Sequence, residues 1–279
     1  MTAQVASKRL GDVQLITFSN PPHGILNAHG ARSLLRAVTE AANSTDLRAI
    51  VFAGSDPGVF VRHYDLRDIL KAANALKTGA ATKETFLDAE FAQLTDLIAG
   101  CEAMTVAAIN GICMGGGLEL ALACDLRIAQ REVEHIGLPE IRVDIFPGGG
   151  GIARLARLIG EAAAMDMALL GRTISADRAL QLGIVSEVVA DATQTALEIA
   201  NRLAERDRGA VLEIKRLVRG AFDRSLSQSL SEERLAFAGH LLASENANKS
   251  MAALLALSRM LEEVDSLAPV PEQPSRVMI

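Results

Sequence analysis

The chain has 279 residues, of which 49% are apolar, and it carries a formal net charge of −6. This length and apolar content are sufficient for a substantial buried core and exclude a disordered chain. Acidic and basic residues are interspersed instead of forming blocks, which argues against binding to nucleic acid or to an anionic membrane. We expect a soluble metabolic protein of one domain, or of one domain with an appendage.

Hydrophobic periodicity predicts alternating strands and helices in the first half of the chain. The predicted strands are residues 13–18, 49–52, 106–109 and 126–129, and the predicted helices are residues 27–42, about 82–99, and 118–123. Alternation of this kind favours an α/β fold whose sheets are covered by helices.

The second half of the chain has a helical pattern from residue 151 to about residue 261, except for a predicted strand at 185–189. Breaks in the helical pattern are expected near Gly160, Gly171, Gly183 and Gly209. We place a domain boundary near residue 206, so that residues 1–206 form the core and residues 207–279 form a helical region. The tail at 268–275 contains three prolines and is expected to be an ordered or frayed arm.

The cysteines and the N-terminal segment indicate the compartment. Cys101, Cys113 and Cys124 lie in apolar surroundings without a Cys-x-x-Cys pair, which predicts small core side chains and no zinc site. The first ten residues contain no apolar segment followed by a cleavage site, and no apolar run approaches the roughly 20 residues that span a bilayer. We therefore expect a cytoplasmic protein with no membrane partner.

The sharpest local signal is an apolar strand that leads into a glycine triplet and a helix with a carboxylate in its first turn. The segment at 109–120 reads INGICMGGGLEL. Glycines allow a backbone to approach a ligand closely, and the N–H groups at a helix N-terminus favour negative charge. Such a turn can hold a carbonyl oxygen that becomes an enolate oxyanion, with Glu119 beside it. The alternative interpretation is that the glycines allow tight strand–helix packing while Glu119 complements the helix dipole.

A second carboxylate, Glu140, follows Pro139 and precedes Pro147 and the glycine run at 148–151. On these residues alone, Glu140 would be a surface acid in a loop. The order of the motifs around both acids adds further information.

This order resembles the enoyl-CoA hydratase/isomerase (crotonase) family. The shared series is Gly-Gly-Gly-x-Glu at 115–119, Cys-Asp at 124–125, Pro-Glu at 139–140 and Pro-Gly-x-Gly-Gly at 147–151. A further similar block has Leu-Gly-Arg at 170–172, Ser-Ala at 175–176 and Val-Val at 188–189. The resemblance covers roughly residues 10–219.

The resemblance implies a crotonase-like spiral of ββα units, with a C-terminal helical region that mediates trimerisation. It implies an acyl-CoA or enoyl-CoA thioester as the ligand and a homotrimer or a dimer of trimers as the assembly. No metal and no redox cofactor is implied, since coenzyme A enters only as part of the substrate.

The resemblance also implies roles for individual residues. Glu119 and Glu140 are the implied catalytic acids, and the backbone N–H groups of Gly116 and Tyr64 are the implied oxyanion hole. Tyr64 belongs to FVRHYDL at 60–66, which aligns with the family's Phe-x-Ala-Gly-Ala-Asp-Leu segment. The implied substrate-binding residues are Asn27, Ala28, Arg62, His63, Asp65, Leu66, Gly115 and Pro139.

Three positions depart from the family's pattern. His63 stands where the family usually has glycine, and Tyr64 stands where it often has alanine. Either the loop has a different backbone geometry, or an imidazole and a phenol are added to the pocket and alter substrate choice. The alternative is that both are partly exposed loop residues without a chemical role. Asp144 replaces a common glycine and either raises the pKa of Glu140 from inside the pocket or is a solvated loop acid.

Two carboxylates suffice to add water across a conjugated C=C bond. One deprotonates the water and the other helps protonate the α-carbon, while the oxyanion hole stabilises the thioester enolate. The presence of both acids favours an enoyl-CoA hydratase of fatty acid metabolism, with an acyl-tail pocket formed by residues 66–91. An isomerase or thioester hydrolase of the same family, or a non-catalytic acyl-CoA-binding or RNA-binding homologue, remains open as an alternative.

Overall fold

The structure is a computed structural model, and it describes residues 3–256. The chain divides between Arg202 and Leu203 into two compact units. The predicted domain boundary near residue 206 stays a prediction, since a division by contacts does not show that either part folds alone. The predicted arm at 268–275 and the end of the predicted helical stretch, 257–261, lie outside the described residues.

The first unit contains both β-sheets. Its strands are β1 (Gln4–Leu10), β2 (Val13–Ser19), β3 (Ala49–Gly54), β4 (Val59–Val61), β5 (Met104–Ile109), β6 (Ile112–Met114), β7 (Leu126–Gln130), β8 (Ile136–Gly137), β9 (Thr173–Ile174) and β10 (Glu187–Val189). Its helices are α1 (Ala28–Ala42), α2 (Leu66–Thr78), α3 (Glu90–Gly100), α4 (Gly116–Ala123), α5 (Gly151–Ile159), α6 (Glu161–Leu169) and α7 (Ala176–Gln181), and α8 (Ala192–Ala204) spans the division. Two 3₁₀ helices cover Lys83–Phe86 and Glu140–Val143.

Successive strand pairs divide themselves between the two sheets. The larger sheet has the order β1-β2-β3-β5-β7-β10 and is parallel except for the β1/β2 hairpin. The smaller sheet has the order β4-β6-β8-β9, with only β8/β9 antiparallel. The pairs β3/β4, β5/β6 and β7/β8 each place their first strand in the larger sheet and their second in the smaller one. A helix follows each pair, which is the predicted repeat of ββα units.

The core explains which elements the sequence signals most clearly. Every residue of β3 is buried, as expected for a parallel strand covered on both faces. All eight residues of α4 are buried, which fits a helix that is apolar on all sides. Glu119 is the one charged residue of this buried helix. The fold therefore removes one candidate catalytic acid from bulk water.

Most of the predicted elements are confirmed, and several are wrong or missing. The helix expected at about 82–99 begins at Glu90, because residues 83–86 form a 3₁₀ helix instead. The break expected near Gly209 occurs at residues 205–207, between α8 and α9 (Arg208–Gly220), so Gly209 itself lies in the first turn of α9. The hairpin strand β1, the helix α2 and the short strands of the smaller sheet were not predicted. β1 is mostly exposed. The apolar residues of α2 do follow a helical spacing, but none of them is buried.

The second unit is helical in its described part. It contains α9 (Arg208–Gly220), α10 (Leu226–Ala243) and α11 (Glu245–Ala256). Asp207 caps α9 through a 3.0 Å bond from the N–H of Ala210, and it also accepts a bond from the Ser244 hydroxyl over 2.7 Å. Glu232 on α10 forms ion pairs with Arg216 and Arg224. The Asp207 contact joins the start of α9 to the junction of α10 and α11, and the ion pairs join α9 and the turn after it to α10.

The three cysteines are buried, as predicted from their apolar surroundings. None of the helices among residues 3–256 combines the length and apolarity needed to cross a bilayer. The cytoplasmic location stays a prediction.

Candidate active site

The glycine triplet forms the turn between β6 and α4. Gly115 has φ +51° and ψ −125°, a conformation that residues with a Cβ rarely adopt. Its N–H donates to the carbonyl of Gly137 over 2.9 Å, which ties the turn to β8. A Cβ on Gly117 would lie 1.9 Å from the carbonyl oxygen of Val61. Gly117 therefore serves tight packing, as the alternative interpretation predicted, while Gly115 sets the direction of the turn.

The backbone amides of Gly116 and Tyr64 lie side by side at the start of α4. A Cβ on Gly116 would lie 3.3 Å from the amide nitrogen of Tyr64. The Tyr64 loop is held by two bonds to Leu26, from the Leu26 N–H to the His63 carbonyl and from the Asp65 N–H to the Leu26 carbonyl, both 2.8 Å. Within the described residues, neither the Gly116 nor the Tyr64 N–H has a hydrogen-bond acceptor. Two neighbouring N–H donors are thus left without an acceptor beside the cavity, as an oxyanion hole requires.

Glu119 is held by the glycine run that precedes α5. It is 4% exposed, and its Oε1 accepts hydrogen bonds from the N–H groups of Gly149 over 2.6 Å and Gly151 over 3.0 Å. Burial raises the pKa of Glu119 above its ordinary value, while the two amides and the charge of Arg154 oppose that rise. The carboxylate is therefore fixed in one orientation and is partly stabilised in its charged form.

Glu140 begins the 3₁₀ helix that follows Pro139. Burial raises the pKa of Glu140 to about 7, and the neighbouring charge of Glu119 adds to the rise. Its Oε2 is buried and has no hydrogen-bond partner in the described part of the protein. Buried polar atoms are usually paired, so an unpaired oxygen at a cavity is a place where a substrate or a water would bind. The two acids thus have different surroundings within one site.

Both acids line a single cavity of about 440 Å³. Most of its wall is apolar and comes from α2, from residues around α3, and from the segment after Glu140. The apolar side chains of the wall are Leu66, Ile69, Ala72, Phe86, Ala89, Phe91, Ala92, Met114, Val143, Ile145 and Phe146. A cavity of this size and polarity suits an apolar ligand that carries one polar reacting group.

Eight of the twelve site residues implied by the resemblance line the cavity. These eight are His63, Tyr64, Leu66, Gly115, Gly116, Glu119, Pro139 and Glu140. The remaining four support the surrounding backbone. Asn27 caps α1, Ala28 donates its N–H to Asp68, Arg62 donates to the His23 carbonyl, and Asp65 caps α2. The functional roles of all twelve stay predictions.

The His63–Tyr64 loop adds both of its side chains to the cavity. Among the described residues, Asp144 alone combines a side chain with a positive φ, so His63 does not need the backbone freedom of glycine. Its Nδ1 lies 2.8 Å from the carbonyl oxygen of Tyr64. The Tyr64 ring packs against Phe91 with a centroid distance of 5.3 Å, and burial raises the pKa of its phenol to about 12. The second interpretation of this loop, an added imidazole and phenol, describes the structure.

Asp144 does not act on Glu140. It is exposed and lies outside the cavity lining, and the charge that raises the pKa of Glu140 is that of Glu119. Asp144 has φ +60° and closes the 3₁₀ helix in the left-handed conformation. Aspartate tolerates this conformation better than most residues, which explains how it can stand in place of a glycine. The hypothesis of like-charge proximity between Asp144 and Glu140 is therefore wrong, and the solvated loop acid is the correct reading.

Two further residues shape the site although the sequence analysis assigns neither an individual role. Phe91, the last residue of the predicted tail-pocket segment 66–91, lines the cavity, covers Tyr64 and would collide with a Cβ on Gly149, at 2.4 Å. Arg154 donates to the Gly149 carbonyl over 2.8 Å. Neither lies in a distinctive motif of its own, and only the position of Arg154 just after the glycine run could have indicated its role.

A buried and a half-buried acid with different surroundings lie beside two free amides at an apolar cavity, an arrangement typical of acid–base enzymes that polarise a carbonyl group. Comparisons with known proteins agree with this class. The model of the enoyl-CoA hydratase/isomerase family matches residues 9–256. The probable enoyl-CoA hydratase echA8 of Mycobacterium bovis is 35% identical over 253 residues, which cover 87% of this chain and 91% of that protein.

Solved structures give the same result. An enoyl-CoA hydratase from Polaromonas sp. JS666 has a TM-score of 0.80 and 29% identity, covering 90% of this chain and 96% of its own. Pseudomonas aeruginosa DspI has a TM-score of 0.78 and 30% identity, covering 90% and 94%. The chain belongs to the enoyl-CoA hydratase/isomerase family. The predicted family and the predicted crotonase-like α/β fold are confirmed.

Proposed function

We propose that this protein is an enoyl-CoA hydratase that adds water across the 2,3 double bond of an enoyl-CoA thioester. The observation that carries the proposal is the meeting of Glu119, Glu140 and the free amides of Gly116 and Tyr64 at one cavity. The amides donate hydrogen bonds to the thioester carbonyl oxygen and stabilise the enolate oxygen that forms during the reaction. The proposed reaction requires neither a metal nor a redox cofactor.

The surroundings of the acids favour a division of labour between them. Glu119 accepts two amide hydrogen bonds and lies near the positive charge of Arg154, and all three contacts favour its ionised form. Glu140 lacks a partner for Oε2 and has a pKa of about 7, so it keeps a proton up to neutral pH. In our proposal Glu119 deprotonates the water, and Glu140 delivers a proton to the α-carbon.

The probable enoyl-CoA hydratase of M. bovis and the enoyl-CoA hydratase of Polaromonas support hydration, since each is similar to this chain over most of its length. Isomerisation and thioester hydrolysis can use the same oxyanion hole, and they are the competing reactions. We also propose the cytoplasm as the location and fatty acid metabolism as the context.

A turnover screen tests the proposal. The wild-type protein is incubated with 2-enoyl-CoA thioesters of increasing chain length, and the loss of the conjugated double bond is followed. Hydration of at least one member is expected. Binding of acyl-CoA without hydration of any member would overturn the proposal and favour a binding homologue.

We further propose a homo-oligomer, a trimer or a dimer of trimers. The described part of the second unit exposes large apolar side chains, which are costly to leave in water. Those with exposures of 41–90% on α9, on α10 and in the turn between them are Ile214, Val218, Phe222, Leu226, Leu230, Leu235, Phe237 and Leu242. Contacts between copies of the chain would bury this surface.

A further inference from the structure

Arg154 lies outside the cavity lining, yet polar contacts connect it to Glu119. Its Nη1 donates to the carbonyl oxygen of Gly149 over 2.8 Å, and its Nη2 lies 3.1 Å from Oδ1 of Asp96 on α3. Gly149 in turn donates its N–H to Oε1 of Glu119 over 2.6 Å. Gly149 thus lies between two charged groups. Its N–H faces the Glu119 carboxylate, and its carbonyl oxygen faces the Arg154 guanidinium.

The glycine turn depends on such outside contacts to keep its shape. Gly150 has φ +93°, and a Cβ there would lie 2.3 Å from Nη1 of Arg154, so the guanidinium packs directly on the turn. Thr95, which is 1% exposed, also directs its hydroxyl toward the Gly149 carbonyl over 3.4 Å. Glycine has more backbone freedom than any other residue, and a run of glycines has no Cβ atoms with which to hold one conformation.

We propose that Arg154 is a positioning residue for Glu119, and that it holds the glycine turn so that the amides of Gly149 and Gly151 converge on one carboxylate oxygen. With Oε1 occupied by both amides, Oε2 is the oxygen that remains for a water. The catalytic part of this inference rests on the proposed role of Glu119 as the base. The positioning itself is a property of the folded protein.

The electrostatic consequence of this arrangement has a definite sign. Burial raises the pKa of Glu119, whereas the positive charge of Arg154 lowers it. Glu140 is the other charged group coupled to Glu119, and Asp96 lies on the far side of the guanidinium with a side chain that is 75% exposed. Removal of the guanidinium therefore raises the pKa of Glu119 and loosens its two amide hydrogen bonds.

The test is a direct titration of the Glu119 carboxyl group. Protein labelled with isotope in its glutamate carboxyl carbons is titrated by NMR, and the Glu119 signal is identified by its loss in Glu119→Gln. We expect Arg154→Met to raise the pKa of Glu119. Arg154→Lys should give a smaller rise, because it keeps the charge but loses the planar pair of donors. If Arg154→Met does not fold, the pKa of Glu119 in Arg154→Lys decides whether the inference holds.

Arg172→Met is the matched control, since Arg172 forms an ion pair of the same 3.1 Å length with Asp166 in the same unit. It should leave the Glu119 titration unchanged. An unshifted Glu119 in the Arg154 variants would overturn the inference. This readout needs no turnover, so it stays informative even if the protein hydrates no enoyl-CoA.

Kinetics supply the second readout if hydration is found. Arg154→Met should lower kcat by about 10²-fold with little change in KM, the scale of a misplaced catalytic group. The value of kcat should rise with pH as Glu119 ionises. In Arg154→Met this rise should occur at higher pH than in the wild type. Arg154→Lys should restore part of the loss. A uniform fall in active protein, with an unmoved pH profile, would show a merely structural role and contradict the inference.

Discussion

The N–H of Gly149 donates to Oε1 of Glu119 over 2.6 Å, although the two residues are 30 positions apart in the chain. This bond joins the glycine run before α5 to the first turn of α4. Gly151 adds a second bond to the same oxygen. The orientation of the proposed base therefore depends on the backbone of a turn that contributes no side chain.

Gly149→Ala should lower hydratase kcat by about 10²-fold, because a misplaced catalytic group loses activity on this scale. A Cβ at this position would lie 2.4 Å from Cε1 of Phe91 and 3.1 Å from Oε2 of Glu119, so the turn has to shift. Steady-state kinetics measure the effect. Gly100→Ala is the control, since a Cβ there meets nothing within 4 Å. Equal activity of the two variants would argue against a fixed turn.

Glu119→Gln and Glu140→Gln should each lower kcat on a 2-enoyl-CoA by about 10²-fold or more, the scale of positioned acid–base catalysis. Binding of a saturated acyl-CoA, measured by calorimetry, should persist because the backbone amides hold the carbonyl. A Glu140→Gln variant with wild-type kcat would show that Glu140 does not deliver the proton.

Glu140 should also make stability depend on pH. Its pKa is about 7 in the folded protein, above the ordinary value of 4.5. The folded state therefore holds more protons between these values, and stability from this group falls as pH rises through that range. Glu140→Gln, which stays neutral, should have a higher Tm than the wild type at about pH 8, with a gap that narrows toward about pH 4.5.

Thermal unfolding monitored by circular dichroism measures this gap. Glu134→Gln changes an exposed carboxyl group in the same way and serves as the control. A wild-type Tm above that of Glu140→Gln at about pH 8 would contradict the expected effect of Glu140 on stability.

The oligomer is tested by placing a charge on the exposed apolar surface of α10. Leu242 is 90% exposed and Phe237 is 64% exposed in the single chain. Leu242→Glu and Phe237→Glu should shift the mass measured by light scattering toward the monomer, because contacts between chains would bury the new charge. Ser227→Glu adds the same charge at an exposed polar position of α10 and should keep the oligomer. A wild-type monomer would refute the assembly outright.

The elements that the sequence predicts well are those whose apolar pattern is long enough to read. β3, β5 and α4 are almost wholly apolar, and each lies in the buried core. The strands of the smaller sheet have only two or three residues, which is too short for a period-two pattern. Their existence depends on pairing with distant strands.

The candidate site, like the fold, could be predicted only where a local sequence pattern marks it. Glu119, Glu140 and Gly116 stand in motifs whose order the sequence displays, and the fold brings all three to one cavity. The contributions of Phe91 and Arg154 arise from contacts across the fold that no local pattern records. The sequence left two positions open for Asp144, and the structure has it exposed at a left-handed turn, as a solvated loop acid.

The fate of water oxygen is the most direct test of the proposed reaction. The protein is incubated with a 2-enoyl-CoA in water labelled with heavy oxygen, and the products are analysed by mass spectrometry. Hydration predicts a 3-hydroxyacyl-CoA with one heavy oxygen on its β-carbon and an intact thioester. Heavy oxygen in a free carboxylate would instead show thioester hydrolysis, and a shifted double bond without label would show isomerisation. Either of these as the main product would contradict the assignment of Glu119 and Glu140 as the acids of a hydratase.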